Sequence, residues 1–207
     1  MIDQQVRSWE VLDPRVLETL AAIPRERFVP EAFRGVAFAD TEIPIGHGQV
    51  MLSPKVEGRI LQALAPQRGE RVLEIGTGTG FFAACLEHLS GDVDSVEIHA
   101  DLAAGATRTL TTLGMPRVRI MTGDAMSCEL EGQYQVIALT GSLPVYDRRF
   151  ECALEVGGRL FVVVGTAPVM EARLVTRTTI DSWLTETLFE TCIVPLSNAS
   201  AASEFRF

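Results

Sequence analysis

Apolar residues recur along the chain in two different rhythms, and the change falls near residue 70. Before it the rhythm is helical. Asp13 followed by Pro14 is an N-cap with proline at the first helical position, and Val16, Leu17 and Leu20 follow at helical spacing until Pro24. A second helix is expected over 55–65, with Val56, Ile60, Leu61 and Leu64 on one face. Between them, 25–54 is broken by Pro30, Pro44, Gly46, Gly48 and Pro54, which predicts a long structured loop region on the substrate side. After residue 70, short apolar runs at 71–75, 95–98, 117–121, 135–139 and 159–164 read as strands, several of the kind buried on both faces. Helical stretches at 82–89 and 101–113 separate the early ones. Strand and helix in alternation predict an α/β fold, a doubly wound, mostly parallel sheet with helices on both faces and an N-terminal helical and loop extension. Residues 1–69 would pack on a core of 70–207 as one compact unit. Ligands in such sheets bind beyond the carboxyl ends of the strands, at the switch point.

Composition narrows the partners. The 207 residues are 47% hydrophobic and 22% charged, enough for a full core. Asp plus Glu number 27 against 18 Lys plus Arg, a net charge of −9 that repels a phosphate backbone, so no nucleic acid is expected. No apolar run reaches membrane-span length, and Met1-Ile2-Asp3-Gln4 opens no signal peptide, which predicts no membrane and a cytoplasmic protein, monomeric or weakly dimeric. Cys85, Cys128, Cys152 and Cys192 form no C-x-x-C pair and meet no histidine at ligand spacing, so no metal is expected.

The strongest chemical signal is Val72-Leu73-Glu74-Ile75-Gly76-Thr77-Gly78-Thr79-Gly80, a strand entering a glycine-rich turn before a helix. A dinucleotide fingerprint needs glycine three after Gly78, where Phe81 stands. The acid Glu74 suits a cationic ligand head better than a pyrophosphate, and S-adenosylmethionine carries an ammonium and a sulfonium with no phosphate. Glu97 ends the second strand about 20 residues on, where a carboxylate accepts ribose hydroxyls. Asp124 ends the third and is assigned to the adenine amino group. The expected cofactor set is Glu74, Gly76, Thr77, Gly78, Gly80, Glu97, Ile98, Asp124 and Ala125.

The chain resembles the protein-L-isoaspartate O-methyltransferases in VLETLAAIPRERFVPEAF at 16–33, IPIGHGQ at 43–49, VLEIGTGTG at 72–80 and GGRLFVVVG at 157–165. Residues 193–196, Ile-Val-Pro-Leu, look like that family's late strand. The resemblance implies a Rossmann-like methyltransferase sheet, S-adenosyl-L-methionine as cofactor, and a peptide or protein substrate with an isoaspartyl carboxylate, methylated in repair. It also implies that the loop of Gly48, Gln49, Val50 and Met51 holds the substrate. The family's loop reads G-x-G-Q-T-I-S-x-P with a serine central to activity. Aligned on Gly46, Gly48, Gln49 and Pro54, this chain has Val50, Met51 and Leu52 where the family has Thr, Ile and Ser. Ser53 stands next door, but neighbours on an extended chain point to opposite sides. Thr140, in Thr140-Gly141-Ser142-Leu143-Pro144, matches a T-A-A-P-like run. Ser53, Leu52 and Thr140 are therefore the catalytic positions to examine.

Methylating a carboxylate needs no strong base, because an acid with a pKa near 4 is already ionised at neutral pH. Losing the loop hydroxyls makes the acceptor pocket greasier, which leaves open a small acidic acceptor or another nucleophile, or a chain that binds S-adenosylmethionine without transferring methyl. An NAD-dependent dehydrogenase is a distant alternative, and no N/D-P-P-Y run supports nucleobase methylation. His47 either acts as a base or pins the loop, and Lys55, the one lysine, and Arg59 either attract an acidic acceptor or are solvated. Phe81 and Phe82 read as helix packing, and Trp9 and Trp183 as anchors of terminal elements. The tail from Ser197 to Phe207 either frays or folds its phenylalanines back over the site.

Overall fold

Helix α1 (Pro14–Ala22) begins where the pattern placed it: the Asp13 side chain accepts from the Arg15 N–H and Pro14 fills the first turn. The computed structural model that contains it describes residues 1–128, 130 and 133–201, so the tail phenylalanines lie outside the described residues. Two 3-10 turns, Arg25–Arg27 and Glu31–Val36, lead to an antiparallel hairpin of β1 (Ile43–Gly46) and β2 (Gln49–Met51). Helix α2 (Pro54–Leu64) closes the extension. The loop region thus hides a hairpin, masked in the sequence by Pro44 and by positive φ at Gly46, His47 and Gly48.

The sheet comprises β3 (Val72–Ile75), β4 (Val93–Glu97), β5 (Val118–Thr122), β6 (Tyr134–Leu143), β7 (Leu154–Thr166), β8 (Val169–Thr179) and β9 (Ser182–Thr191). Its order is β5-β4-β3-β6-β7-β8-β9; the first five of these in chain order run parallel and the last two pair antiparallel. Helices α3 (Phe81–Ser90) and α4 (Ala100–Thr112) cross between early strands, and α5 (Arg148–Cys152) precedes β7. Because β3 pairs with β4 on one side and β6 on the other, the switch point opens beyond β3. The late strand expected at 193–196 is not one: the segment makes a single parallel bridge between Pro195 and Ser142, and proline cannot extend a ladder. The late strands are β8 and β9.

Alternation along the strands divides the core. Val72, Val136, Phe161 and Val163 face one side with α1, α2 and α3, while Leu73, Ile75, Ile137 and Leu139 face the other with Phe150 of α5. Val16, Leu20, Ile60 and Leu61 of the extension share the first cluster. Arg159 of β7 donates to the Leu64 and Ala65 carbonyls at the end of α2 and pairs with Glu70, fastening the extension to the sheet. Among the described residues no helix is long and apolar enough to cross a membrane, and no group of three His, Cys, Asp or Glu is placed to hold a metal ion.

Candidate active site

The turn after β3 is shaped by what a side chain there would strike. Gly76 has φ of 97°, and a Cβ on it would lie 2.4 Å from Thr140 Oγ1. That hydroxyl, in the second half of β6, lies 2.9 Å from the Ile75 carbonyl and 2.7 Å from the Gly76 carbonyl, bracing the turn from the neighbouring strand. Two residues on, the Gly78 N–H donates to Glu97 Oε2 at 2.8 Å, and the His99 N–H donates to Oε1 at 3.0 Å. The Glu97 carboxylate is thus aimed by backbone at the end of β4. Gly76, Gly78, Glu97, Ile98, Asp124 and Ala125 all line one open cavity of about 590 Å³.

The other three expected cofactor residues lie elsewhere. Thr77 lines an adjoining pocket, and Gly80 caps α3 and packs toward Ala106 and Leu110 of α4. Glu74 alternates with Leu73 and Ile75, so it turns under the sheet and is fully buried. Its carboxyl accepts from Ser95 Oγ, which in turn bonds Thr77 Oγ1. Burial pushes its pKa up to about 8, against the Ser95 hydrogen bond and with help from the charges of Glu97 and Glu57. Buried beneath the turn and absent from the wall of either cavity, Glu74 braces the turn from below rather than facing the cofactor head, which corrects the reading made from sequence.

Asp124 follows β5 with Oδ1 accepting from the Met126 N–H at 2.8 Å, a bond that holds its carboxyl below the usual range. Its Oδ2 accepts from Asn198 Nδ2 at 2.9 Å. Asn198 belongs to the segment after β9, which also puts Leu196 and Ser197 on the cavity wall. The sequence marked 193–196 only as a late strand and left the tail from Ser197 either frayed or folded back over the site; Leu196, Ser197 and Asn198 on and beside the cavity are a contribution it did not assign, packed against Gly141, where a Cβ would come within 2.8 Å of Leu196.

The hairpin supplies the opposite wall. Gln49 and Val50 line the cofactor cavity, and Val50, Met51 and Leu52 line the adjoining pocket of about 310 Å³. Gly48, at the hairpin tip with φ of 70°, and Ser53, the buried N-cap of α2, are on the wall of neither. Of the expected catalytic positions in the loop, Leu52 and not Ser53 lies on a pocket wall. Its carbonyl accepts from Arg25 Nη2 at 2.6 Å, while Arg25 Nε donates to the Ala37 carbonyl at 2.8 Å and Nη1 pairs with Glu57. Arg25 is wholly buried, with its guanidinium over the Phe81 ring. An arginine in a charged PRER run reads as surface, so this brace left no sequence signal. His47 pins the hairpin: its ring stacks on His99 at 3.9 Å between centroids, and Nε2 lies 2.9 Å from both Asp101 oxygens. Lys55 pairs with Asp40 and covers the Trp9 ring, and Arg59 pairs with Glu10.

Among the described residues the cofactor cavity carries Glu97 and Asp124 and no Lys or Arg, a lining that fits a ligand with ribose and adenine but no phosphate. With the doubly wound sheet and glycine turn, this defines an S-adenosylmethionine-dependent methyltransferase of Rossmann-like fold. The chain belongs to the protein-L-isoaspartate(D-aspartate) O-methyltransferase family, whose model matches residues 1–201. It is 38% identical over 95% of its length to protein-L-isoaspartate O-methyltransferase 1 of Rhodopseudomonas palustris, covering 81% of that protein. It is 37% identical to the protein-L-isoaspartate O-methyltransferase of Koribacter versatilis over 86% of its length and 80% of that protein. In fold it is similar to a Plasmodium falciparum structure bearing that enzyme name, in complex with S-adenosyl-L-homocysteine, with a TM-score of 0.80, 18% identity, and 93% and 94% of the two chains covered.

Proposed function

We propose that this chain transfers the methyl group of S-adenosylmethionine to the free carboxylate of an isoaspartyl residue in a damaged peptide or protein. The observation that carries the reading is the junction of two pockets. Val50 of the hairpin, Gly76 of the turn and Thr140 of β6 line both the cofactor cavity and the pocket behind it. Bound in the first, the cofactor supplies an electrophilic methyl on a sulfonium. The chain's own work is alignment: Glu97 fixes the ribose, the braced turn sets the depth, and the hairpin covers the junction and keeps water out. No side chain need remove a proton, because the acceptor carboxylate is already ionised. In this reading the protein acts as a monomer or weak dimer in the cytoplasm, a compartment suited to its four unpaired thiols, Cys85, Cys128, Cys152 and Cys192.

A second reading, in which the acceptor is a small apolar carboxylate, is favoured by Leu52 on the acceptor wall where the family loop has serine. The deciding experiment is transfer of labelled methyl to an isoaspartyl peptide and to its aspartyl twin. Labelling of the first alone is expected. Equal labelling of both, or of neither while S-adenosylmethionine binds, would remove the isoaspartyl acceptor.

A further inference from the structure

We propose that Arg25 is a positioning residue for methyl transfer: it sets the hairpin's acceptor wall against the cofactor turn, and so governs turnover and not cofactor affinity. The inference rests on the methyl-transfer reading above and adds to it a residue that lines neither cavity. Each nitrogen of the guanidinium has a partner on a different stretch of chain. Nε donates to the Ala37 carbonyl at 2.8 Å, just past the second 3-10 turn. Nη2 donates to the Leu52 carbonyl at 2.6 Å, between β2 and α2, and Nη1 pairs with Glu57 in α2. The guanidinium carbon lies 4.7 Å from the centroid of the Phe81 ring, and Phe81 opens α3 directly after Gly80 of the glycine turn. One wholly buried side chain thus joins the segment carrying Val50, Met51 and Leu52 to the helix that starts where the cofactor turn ends.

Stability alone is a poor account of this arrangement. Taking a charged pair out of water costs free energy that its attraction often fails to offset, and packed apolar side chains of like volume serve a core as well or better. What an apolar side chain could not do is hold the Leu52 carbonyl. Met51 is the last ladder residue of β2, and α2 begins at Pro54 after the Ser53 N-cap, so neither ladder nor helix fixes the backbone at Leu52. The planar fork of Arg25 does, with several donors in one fixed geometry that lysine lacks. In a site whose contribution is alignment, a displacement of about 1 Å can cost about 100-fold in rate. The Glu97 and Asp124 carboxylates, by contrast, are held by the Gly78, His99 and Met126 N–H groups, so the cofactor framework is built without Arg25.

The test measures kcat on an isoaspartyl peptide and Kd for S-adenosylhomocysteine in wild type, Arg25→Lys, Glu57→Gln and Arg25→Met/Glu57→Gln. Arg25→Lys keeps a charge for Glu57 and loses the fork. The double variant, judged against Glu57→Gln, removes Arg25 without leaving a buried anion unpaired. In both comparisons kcat should fall about 10- to 100-fold while Kd changes little. Unchanged kcat in the folded variants would make Arg25 a packing residue and overturn the proposal. Kd rising in step with the loss of kcat, or binding and fold lost together, would overturn it as well, since Arg25 would then serve the cofactor pocket or the fold. If wild type binds S-adenosylhomocysteine and labels no isoaspartyl peptide, that acceptor falls and amide hydrogen exchange decides on Arg25. Faster exchange at 49–52 in Arg25→Lys, with 76–80 unchanged, keeps it as the residue that positions the loop. Equal protection in both forms discards it.

Discussion

The hydroxyl of Thr140 carries one proton and has two carbonyls within reach, those of Ile75 and Gly76. Sequence put this residue among the catalytic positions, but a proton already shared between two backbone acceptors is not available to a substrate. Thr140 is a brace of the cofactor turn. Thr140→Val keeps the shape and removes the hydrogen bond, worth about 0.5 to 1.5 kcal/mol, so affinity for S-adenosylmethionine should fall roughly 2- to 10-fold. Turnover at saturating cofactor should change less; calorimetry beside steady-state kinetics separates the two, and unchanged affinity would return Thr140 to the acceptor side. Leu52 poses the opposite case: in the proposed reading it lines the acceptor pocket, and it has no donor to give. Leu52→Ser should raise isoaspartyl turnover about 10-fold or more, as one positioned donor to a reacting oxygen can. It should also lower stability by about 1 to 3 kcal/mol, because the side chain is buried. A slower Leu52→Ser with intact fold would mean that the loop hydroxyl has no counterpart at this position.

At the scale of elements, the β1–β2 hairpin contributes to the walls of both cavities and is held at its tip by exposed contacts. His47 stacks on His99 at the head of α4 and reaches Asp101, and its own side chain is 40% exposed. Removing the ring in His47→Ala should loosen the hairpin and speed dissociation of S-adenosylmethionine several-fold, without much change in melting temperature, since exposed ion pairs contribute little to stability. His47→Phe keeps a stacking partner and should recover part of the loss. Stopped-flow release measured on the three forms checks this; identical rates would mean the hairpin does not cover the cofactor. The same element shows where sequence reading ends. Strands β3, β4 and β6 are buried on both faces, but only β6 has an unbroken apolar run, Val136 to Leu139; Asp94 and Ser95 interrupt β4, which is why its expected start at residue 95 falls two residues late. Strands β8 and β9 were not legible, because their Thr, Arg and Glu residues face outward on a half-exposed edge of the sheet. The cofactor residues on the turn and at Glu97, Ile98, Asp124 and Ala125 follow from strand ends, which topology gathers on one edge. Arg25 and His99 reach the site only through tertiary contacts that no local pattern records, and the segment from Ile193 to Asn198, marked by resemblance as a strand, reaches it through such contacts instead of through a ladder.

For the whole molecule, the site is built over buried acids, and this makes stability depend on pH in a direction opposite to that of paired surface carboxylates. Glu74 is fully buried and its pKa stands near 8, raised first by burial, then by Glu97 and Glu57, with the Ser95 hydrogen bond acting the other way. In the unfolded chain the same group titrates near 4.3. Between those values the folded state holds a proton that the unfolded state has released. Stability contributed by this group is therefore complete below about pH 4, falls as pH rises toward 8, and is flat beyond. Repulsion within a chain of net charge −9 slopes the same way, so the wild-type curve alone does not isolate Glu74. Glu74→Gln does, because a carboxamide of the same shape accepts from Ser95 and cannot ionise. Denaturant unfolding from pH 5 to 9 should show the variant losing less stability than wild type up to about pH 8, the two curves running parallel above it. Curves parallel throughout would mean that Glu74 carries its charge in the folded protein and that the turn is braced by an anion after all.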